Sequence, residues 1–206
     1  MAVSRKEHWD YVYGSRSPAE LSWFQSVPSR SLSMIRETGI PTAAPIIDAG
    51  AGVSALIDLL LGADYSNVTA LEISGSAIAQ SRARLGDSAT RVRWVQADVL
   101  EWTPMERYQL WHDRAVFHFM IDSLQAEKYL ATMRAALAPG GYFVLATFGP
   151  EGPGRCSGLD VQRYSIEQLL TLLERDLELK SYELELHMTP TGSEQQFLYS
   201  CWQMTG

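Results

Sequence analysis

Apolar residues change their spacing along this chain, and each change marks an element. Pro45-Ile46-Ile47-Asp48 is a short apolar run closed by an acid and a glycine loop, the pattern of a buried strand. From Val53 to Leu61 the spacing turns helical, and Asn67 to Leu71 is strand-like again. Ser74 to Leu85 then predicts a second helix with Ala77, Ile78 and Leu85 on its apolar side. This βαβα opening calls for a parallel sheet. Arg91 to Val95 alternates as a third strand, and Gln109-Leu110-Trp111 supplies a fourth. Ser123 to Leu137 predicts a long helix stopped at Pro139-Gly140-Gly141. Tyr142 to Phe148 is a fifth strand, followed by a Gly- and Pro-rich loop to Asp160, and Ser165-Ile166-Glu167-Gln168 fits a capping box that opens another helix. The rhythm then shifts to period two in Leu177 to Leu186 and Gln196 to Trp202, joined at Thr189-Pro190-Thr191-Gly192. These predict an antiparallel pair added to the parallel sheet. Ahead of Pro45, two helical stretches flank Ser15 to Pro28. The expected organisation is one domain over 1–206, with 1–44 as a cap or lid and 45–206 as the core.

Composition narrows the partners. The chain has 206 residues, which suits one well-packed domain, and 24 acidic residues against 17 Lys and Arg give a net charge of -7. An excess of acid with scattered Arg argues against nucleic acid or an anionic membrane as partner. Cys156 and Cys201 are far apart, with no Cys-x-x-Cys spacing and no His cluster, so neither a disulfide framework nor a metal site is indicated. The polar N-terminus and the short apolar runs predict neither a signal peptide nor a membrane span, hence a cytoplasmic location.

The most informative stretch is Ile46-Ile47-Asp48-Ala49-Gly50-Ala51-Gly52-Val53-Ser54. Glycines between strand and helix let the backbone bend sharply and let a ligand approach the helix N-terminus. Gly50 to Ala55 also satisfies the loose dinucleotide pattern G-x-G-x-x-A, so a nicotinamide oxidoreductase is one alternative. Against it, Asp48 at the strand end would repel a pyrophosphate and favour an ammonium. Glu72, 20 residues after Gly52, stands where a carboxylate accepts both hydroxyls of a ribose, and Asp98 follows the third strand, where it can receive an adenine amino group. Three acids in this order suit an adenosine with a cationic amino-acid tail, S-adenosylmethionine.

On these residues the chain resembles the class I S-adenosylmethionine-dependent methyltransferases from roughly Pro45 to Trp202, with Ser54 at the family's third glycine position. The resemblance implies a Rossmann-like α/β fold, a seven-stranded mostly parallel sheet with a C-terminal antiparallel strand pair and an N-terminal helical cap. It also implies cofactor contacts at Asp48, Gly50, Gly52, Glu72 with Ile73, and Asp98 with Val99.

Three further segments carry candidate chemistry. After the fourth strand, Asp113 and Arg114 would reach the crevice at the topological switch, as both cofactor and catalytic candidates for Asp113. Phe117 to Phe119 would line it. His118 would take a proton from an acceptor or hydrogen-bond it, with a structural histidine as the alternative, whereas His112, in mid-strand, suits packing or a backbone hydrogen bond. Trp9, Tyr11, Tyr13, Trp23 and Phe24 are five of the 18 residues from His8 to Gln25, against 10% aromatic overall. Aromatic faces attract a sulfonium, so Trp9, Tyr13 and Trp23 read as a lid and Phe24 as part of an acceptor pocket. This segment is similar to the N-terminal signature of small bacterial methyltransferases and, more loosely, of thiopurine and elongation-factor lysine methyltransferases. In the loop after the fifth strand, Arg155 would hold an anionic group and Cys156 would face the pocket or simply pack. Arg163 and Tyr164 are weaker candidates. The expected reaction is methyl transfer to a small molecule, a thiol or sulfide by analogy with the thiol-methylating relatives. A protein lysine methyltransferase and a non-catalytic cofactor-binding subunit are the alternatives, and oligomeric state is open.

Overall fold

The computed structural model describes residues 4–205. Ser4 and Glu7 form a reciprocal capping box that starts α1 (Arg5–Ser15). A 3-10 turn at Pro18–Glu20 leads to α2 (Ser29–Glu37). The core then alternates: β1 (Ile46–Ala49), α3 (Leu56–Gly62), β2 (Val68–Glu72), α4 (Gly75–Leu85), β3 (Val92–Gln96) and β4 (Tyr108–Arg114). After a 3-10 turn at Phe117–Phe119 come α5 (Ser123–Ala136), capped by Asp122, and β5 (Leu137–Phe148). A two-residue hairpin, β6 (Arg155–Cys156) and β7 (Leu159–Asp160), precedes α6 (Ile166–Leu173), β8 (Leu177–Met188) and β9 (Glu194–Met204).

The sheet order is β3-β2-β1-β4-β5-β9-β8, with β1 to β5 parallel and β9 inserted antiparallel between β5 and β8. The order reverses between β1 and β4, which opens a crevice at their carboxyl ends. One apolar layer, including Trp111, Tyr129, Met133, Phe143, Leu169 and Trp202, fills the face under α5 and α6. The other, including Ile35, Leu56, Leu60, Val144, Phe197 and Tyr199, fills the face under α2 and α3. Truncating a fully buried member such as Leu60 costs about 2–5 kcal/mol.

Three expectations shift. The helix expected from Val53 begins at Leu56, because Gly50 (φ 69°) and Gly52 (φ 52°) hold the loop in the left-handed region and Ser54 Oγ accepts from Leu56 N at 3.1 Å. The strand expected from Tyr142 begins at Leu137: Tyr108 pairs with Leu137 and Leu110 with Tyr142, so Ala138 to Gly141 form a bulge. In β8 a register shift between Leu179 and Ser181 inverts the faces. Tyr182, Leu184, Leu186 and Met188 point to solvent, and the intervening polar residues face the cap. There Glu183 pairs with Arg30, Glu185 accepts from Gln25 Nε2 at 3.2 Å, and His187 Nε2 donates to the Ser22 carbonyl at 2.9 Å.

Candidate active site

A cavity of about 490 Å³ lies at the carboxyl ends of β1 to β4. Its floor is the glycine loop; α1, the segment around Trp23 and the β6–β7 hairpin close it. Glycine is required at both loop positions. A Cβ on Gly50 would sit 2.0 Å from Val116 Cγ2, and one on Gly52 would sit 2.5 Å from the Tyr13 hydroxyl, so the Tyr13 ring rests directly on the loop.

Each of the three acids has a distinct setting. Asp48, 3% exposed, bonds His112 Nδ1 through Oδ1 at 2.7 Å, while its Oδ2 has no hydrogen-bond partner. Glu72 Oε2 accepts from Gly52 N at 2.8 Å and Oε1 from Ser74 N at 2.7 Å. Burial pushes the Glu72 carboxyl up to about 7, against the opposing pull of these amides. Asp98 closes the turn after β3, accepting from Leu100 N at 2.9 Å, and its other oxygen accepts from Arg5 Nε at 2.9 Å, which ties α1 to the strand ends. Ile73 and Val99, beside two of these acids, also line the cavity.

The cap is latched at further points. Asp10 accepts from the Ser74 hydroxyl at 2.7 Å, at the N-terminus of α4, and Gln80 Nε2 donates to the Tyr13 carbonyl at 2.6 Å. Trp9 meets Trp23 and Phe119 edge-on, with centroids 6.0 and 5.2 Å apart, and Tyr13 meets Trp23 at 6.3 Å. The aromatic lid expected from the sequence is therefore a cage in contact with the cavity.

The far end of the cavity is bordered by Phe24, Arg114, Met120, Ile121, Gln125 and the hairpin. The Arg114 guanidinium lies 4.5 Å over the Phe197 ring and donates to Tyr199 Oη at 2.8 Å and to the Trp23 carbonyl at 2.9 Å. Arg155 pairs with Asp160 at 3.1 Å and donates to the Gly158 carbonyl at 2.6 Å. Cys156 lines the same wall, its thiol pushed up to about 12 by burial.

Three sequence candidates lie beneath the cavity instead of in it. Asp113 is fully buried and accepts from Val116 N at 2.9 Å, Phe117 N at 3.0 Å and the Tyr129 hydroxyl. It holds the tight turn in which Ala115 takes φ 70°, and burial pushes its carboxyl up to about 6. Phe117 stacks on Tyr164 at 5.4 Å in the core. His118 is fully buried between Phe119 and Phe148, both at 4.6 Å, and its Nδ1 accepts from Phe148 N at 3.4 Å. Burial, then the Arg114 charge, pushes its pKa down to about 3. His118 is thus a neutral core residue with no face toward an acceptor, which corrects the expectation of a catalytic group there. Arg163, bonded to the Pro150 carbonyl, and Tyr164 also stay outside the cavity. Met120, Ile121 and Gln125 were not singled out from the sequence, although the apolar run Phe119-Met120-Ile121 directly after the site strand was a usable signal. Among the described residues, no His/Cys/Asp/Glu group could hold a metal, and no helix is long and apolar enough to cross a membrane.

Residues 46–141 match a family described as a methyltransferase domain. No curated protein matches the sequence. Among solved structures, one from work on conversion of a disulfide bond into a thioacetal group during echinomycin biosynthesis is 19% identical. It aligns over 97% of this chain and 93% of that one with a TM-score of 0.78. The 1,6-didemethyltoxoflavin-N1-methyltransferase of Burkholderia thailandensis, solved with its substrate and S-adenosylhomocysteine, is 22% identical over 95% and 81%, TM-score 0.68. The N-methyltransferase NodS of Bradyrhizobium japonicum, solved with S-adenosylhomocysteine, is 16% identical over 97% and 100%, TM-score 0.72.

Proposed function

We infer that this chain, whose residues 46–141 match a methyltransferase domain, is a class I enzyme that moves a methyl group from S-adenosylmethionine to a small-molecule acceptor. The observation that carries the reading is a 490 Å³ cavity edged by Asp48, Glu72 and Asp98 around a crowded glycine loop. The residues fit the cofactor. Asp48 has a buried oxygen without a partner, suited to an ammonium, and the two glycines leave the backbone bare at the loop. Glu72 and Ile73 hold the ribose, Asp98 and Val99 the adenine, and Trp9, Tyr13 and Trp23 close over the sulfur end. When bound, the cofactor supplies an electrophilic methyl on a sulfonium.

The chain's own work is alignment and exclusion of water. A free base is lacking among the residues described at the acceptor end: His118 is sealed below, Cys156 stays a thiol, and Arg155 is engaged by Asp160. An acceptor that is already nucleophilic near neutral pH fits best, and a small thiol or sulfide meets that need, since a thiol of pKa about 8.5 ionises readily. A neutral amine also brings its own lone pair; the N-methyltransferases among the structural neighbours favour it as second reading. A panel of thiols, sulfides and amines assayed for S-adenosylhomocysteine release tests the assignment. Turnover confined to phenols or alcohols would overturn it.

A further inference from the structure

His112 is the residue whose setting goes furthest beyond its expected role. It stands in mid-β4, directly across from Asp48 in the parallel register of β1 and β4. Its Nδ1 is 2.7 Å from Asp48 Oδ1 and its Nε2 is 2.9 Å from Ser31 Oγ in α2. Asp48, His112 and Ser31 are almost completely removed from solvent, at 3%, 2% and 0% exposure. With a carboxylate oxygen as its partner Nδ1 donates to Asp48, and Nε2 and the Ser31 hydroxyl share the second hydrogen bond.

We propose that His112 and Ser31 are positioning residues for the reaction, which fix Asp48 so that its Oδ2 is kept for the ammonium of the cofactor's amino-acid tail. The proposal rests on the methyltransferase reading above. Three observations support it. His112, itself bonded to Ser31, engages one Asp48 oxygen, and the other has no donor although it is buried. A buried acceptor left open is costly unless a ligand completes it. A buried polar cluster of this kind is weak evidence of a stabilising role, because it can often be replaced by well-packed apolar residues without loss. Leu110 and Trp111, just before it in β4, are already apolar. Finally, Ser31 belongs to the cap, so the network joins cap and core directly at the acid that faces the cavity.

The test compares binding of two probes to the full chain by titration calorimetry: S-adenosylhomocysteine, which has the ammonium, and 5′-methylthioadenosine, which lacks the whole amino-acid tail. His112→Leu should weaken S-adenosylhomocysteine by about tenfold or more while leaving 5′-methylthioadenosine within about twofold. His112→Asn, whose amide N–H replaces that of Nδ1, should recover most of the lost affinity. Ser31→Ala should show the same selective loss in smaller measure, and this variant decides the matter if His112→Leu fails to fold. Equal weakening of both probes, or no weakening of either, would overturn the positioning role and leave the methyltransferase reading intact. A parent protein that binds neither probe would overturn both.

Discussion

Replacing Glu72 by Gln should alter the pH dependence of stability in a calculable way. The carboxyl is 4% exposed, and burial raises its pKa from 4.5 to about 7. In the unfolded chain it returns to its ordinary value. Between those two pH values the folded protein keeps a proton that the unfolded chain has lost, so stability falls as pH rises through the window. The contribution is fully present below 4.5 and gone above 7. A gap of about 2.5 units at about 1.4 kcal/mol each makes the whole effect about 3 kcal/mol, most of it falling between pH 5 and 8. Gln does not titrate, and its NH₂ leaves one of the two amides from Gly52 and Ser74 without an acceptor, a constant cost of about 1–3 kcal/mol. The parent's advantage over Glu72→Gln should therefore shrink by about 2–3 kcal/mol from pH 5 to pH 8, measured by urea unfolding at each pH. Asp113, raised to about 6, is present in both proteins and cancels. Parallel stability curves for the two proteins would refute the reasoning.

Gly50→Ala places a Cβ 2.0 Å from Val116 Cγ2 at a φ of 69°, and should lower the unfolding free energy by about 2 kcal/mol or more; an unchanged urea midpoint would contradict the loop geometry. His118→Phe should keep turnover within about twofold and change stability by no more than about 1–2 kcal/mol, since it removes the unpartnered Nε2 but also the Nδ1 that accepts from Phe148 N at 3.4 Å. A tenfold fall in kcat at unchanged S-adenosylhomocysteine affinity would return His118 to acceptor chemistry. Asp10→Ala removes the α1 latch on Ser74 and should speed hydrogen exchange of α1 amides by about tenfold while β1 and β4 amides stay protected. Uniform acceleration across the sheet would show that the latch supports the core instead.

What could be read in advance depended on range. The glycine loop, the three acids and the aromatic cap segment are local patterns, and the alternation of spacing located all seven strands of the main sheet. His118 was misplaced for a geometric reason: the left-handed Ala115 and the 3-10 turn after it rotate successive side chains, so that Phe117 and His118 point into the core and Phe119 into the cavity. No periodicity encodes the outcome of a three-residue turn. The inversion of β8 depends on one shifted pair at Leu179, and the meeting of Asp48, His112 and Ser31 depends on strand register and on where α2 lands. These are long-range results of packing, silent in local spacing.

The two cysteines acquire a use from their burial. Cys156 sits in the cavity wall and Cys201 in β9, both 5% exposed, with thiols raised to about 12 and about 11. Only the thiolate is alkylated, and at pH 8 about one Cys156 in ten thousand would be ionised while the cavity stays closed. Labelling of Cys156 thus runs as a clock on the opening of the cap, and Cys201 as a second clock on fraying of the β8–β9 hairpin. Ligands that hold the cap shut should slow the first and leave the second ticking at its own rate.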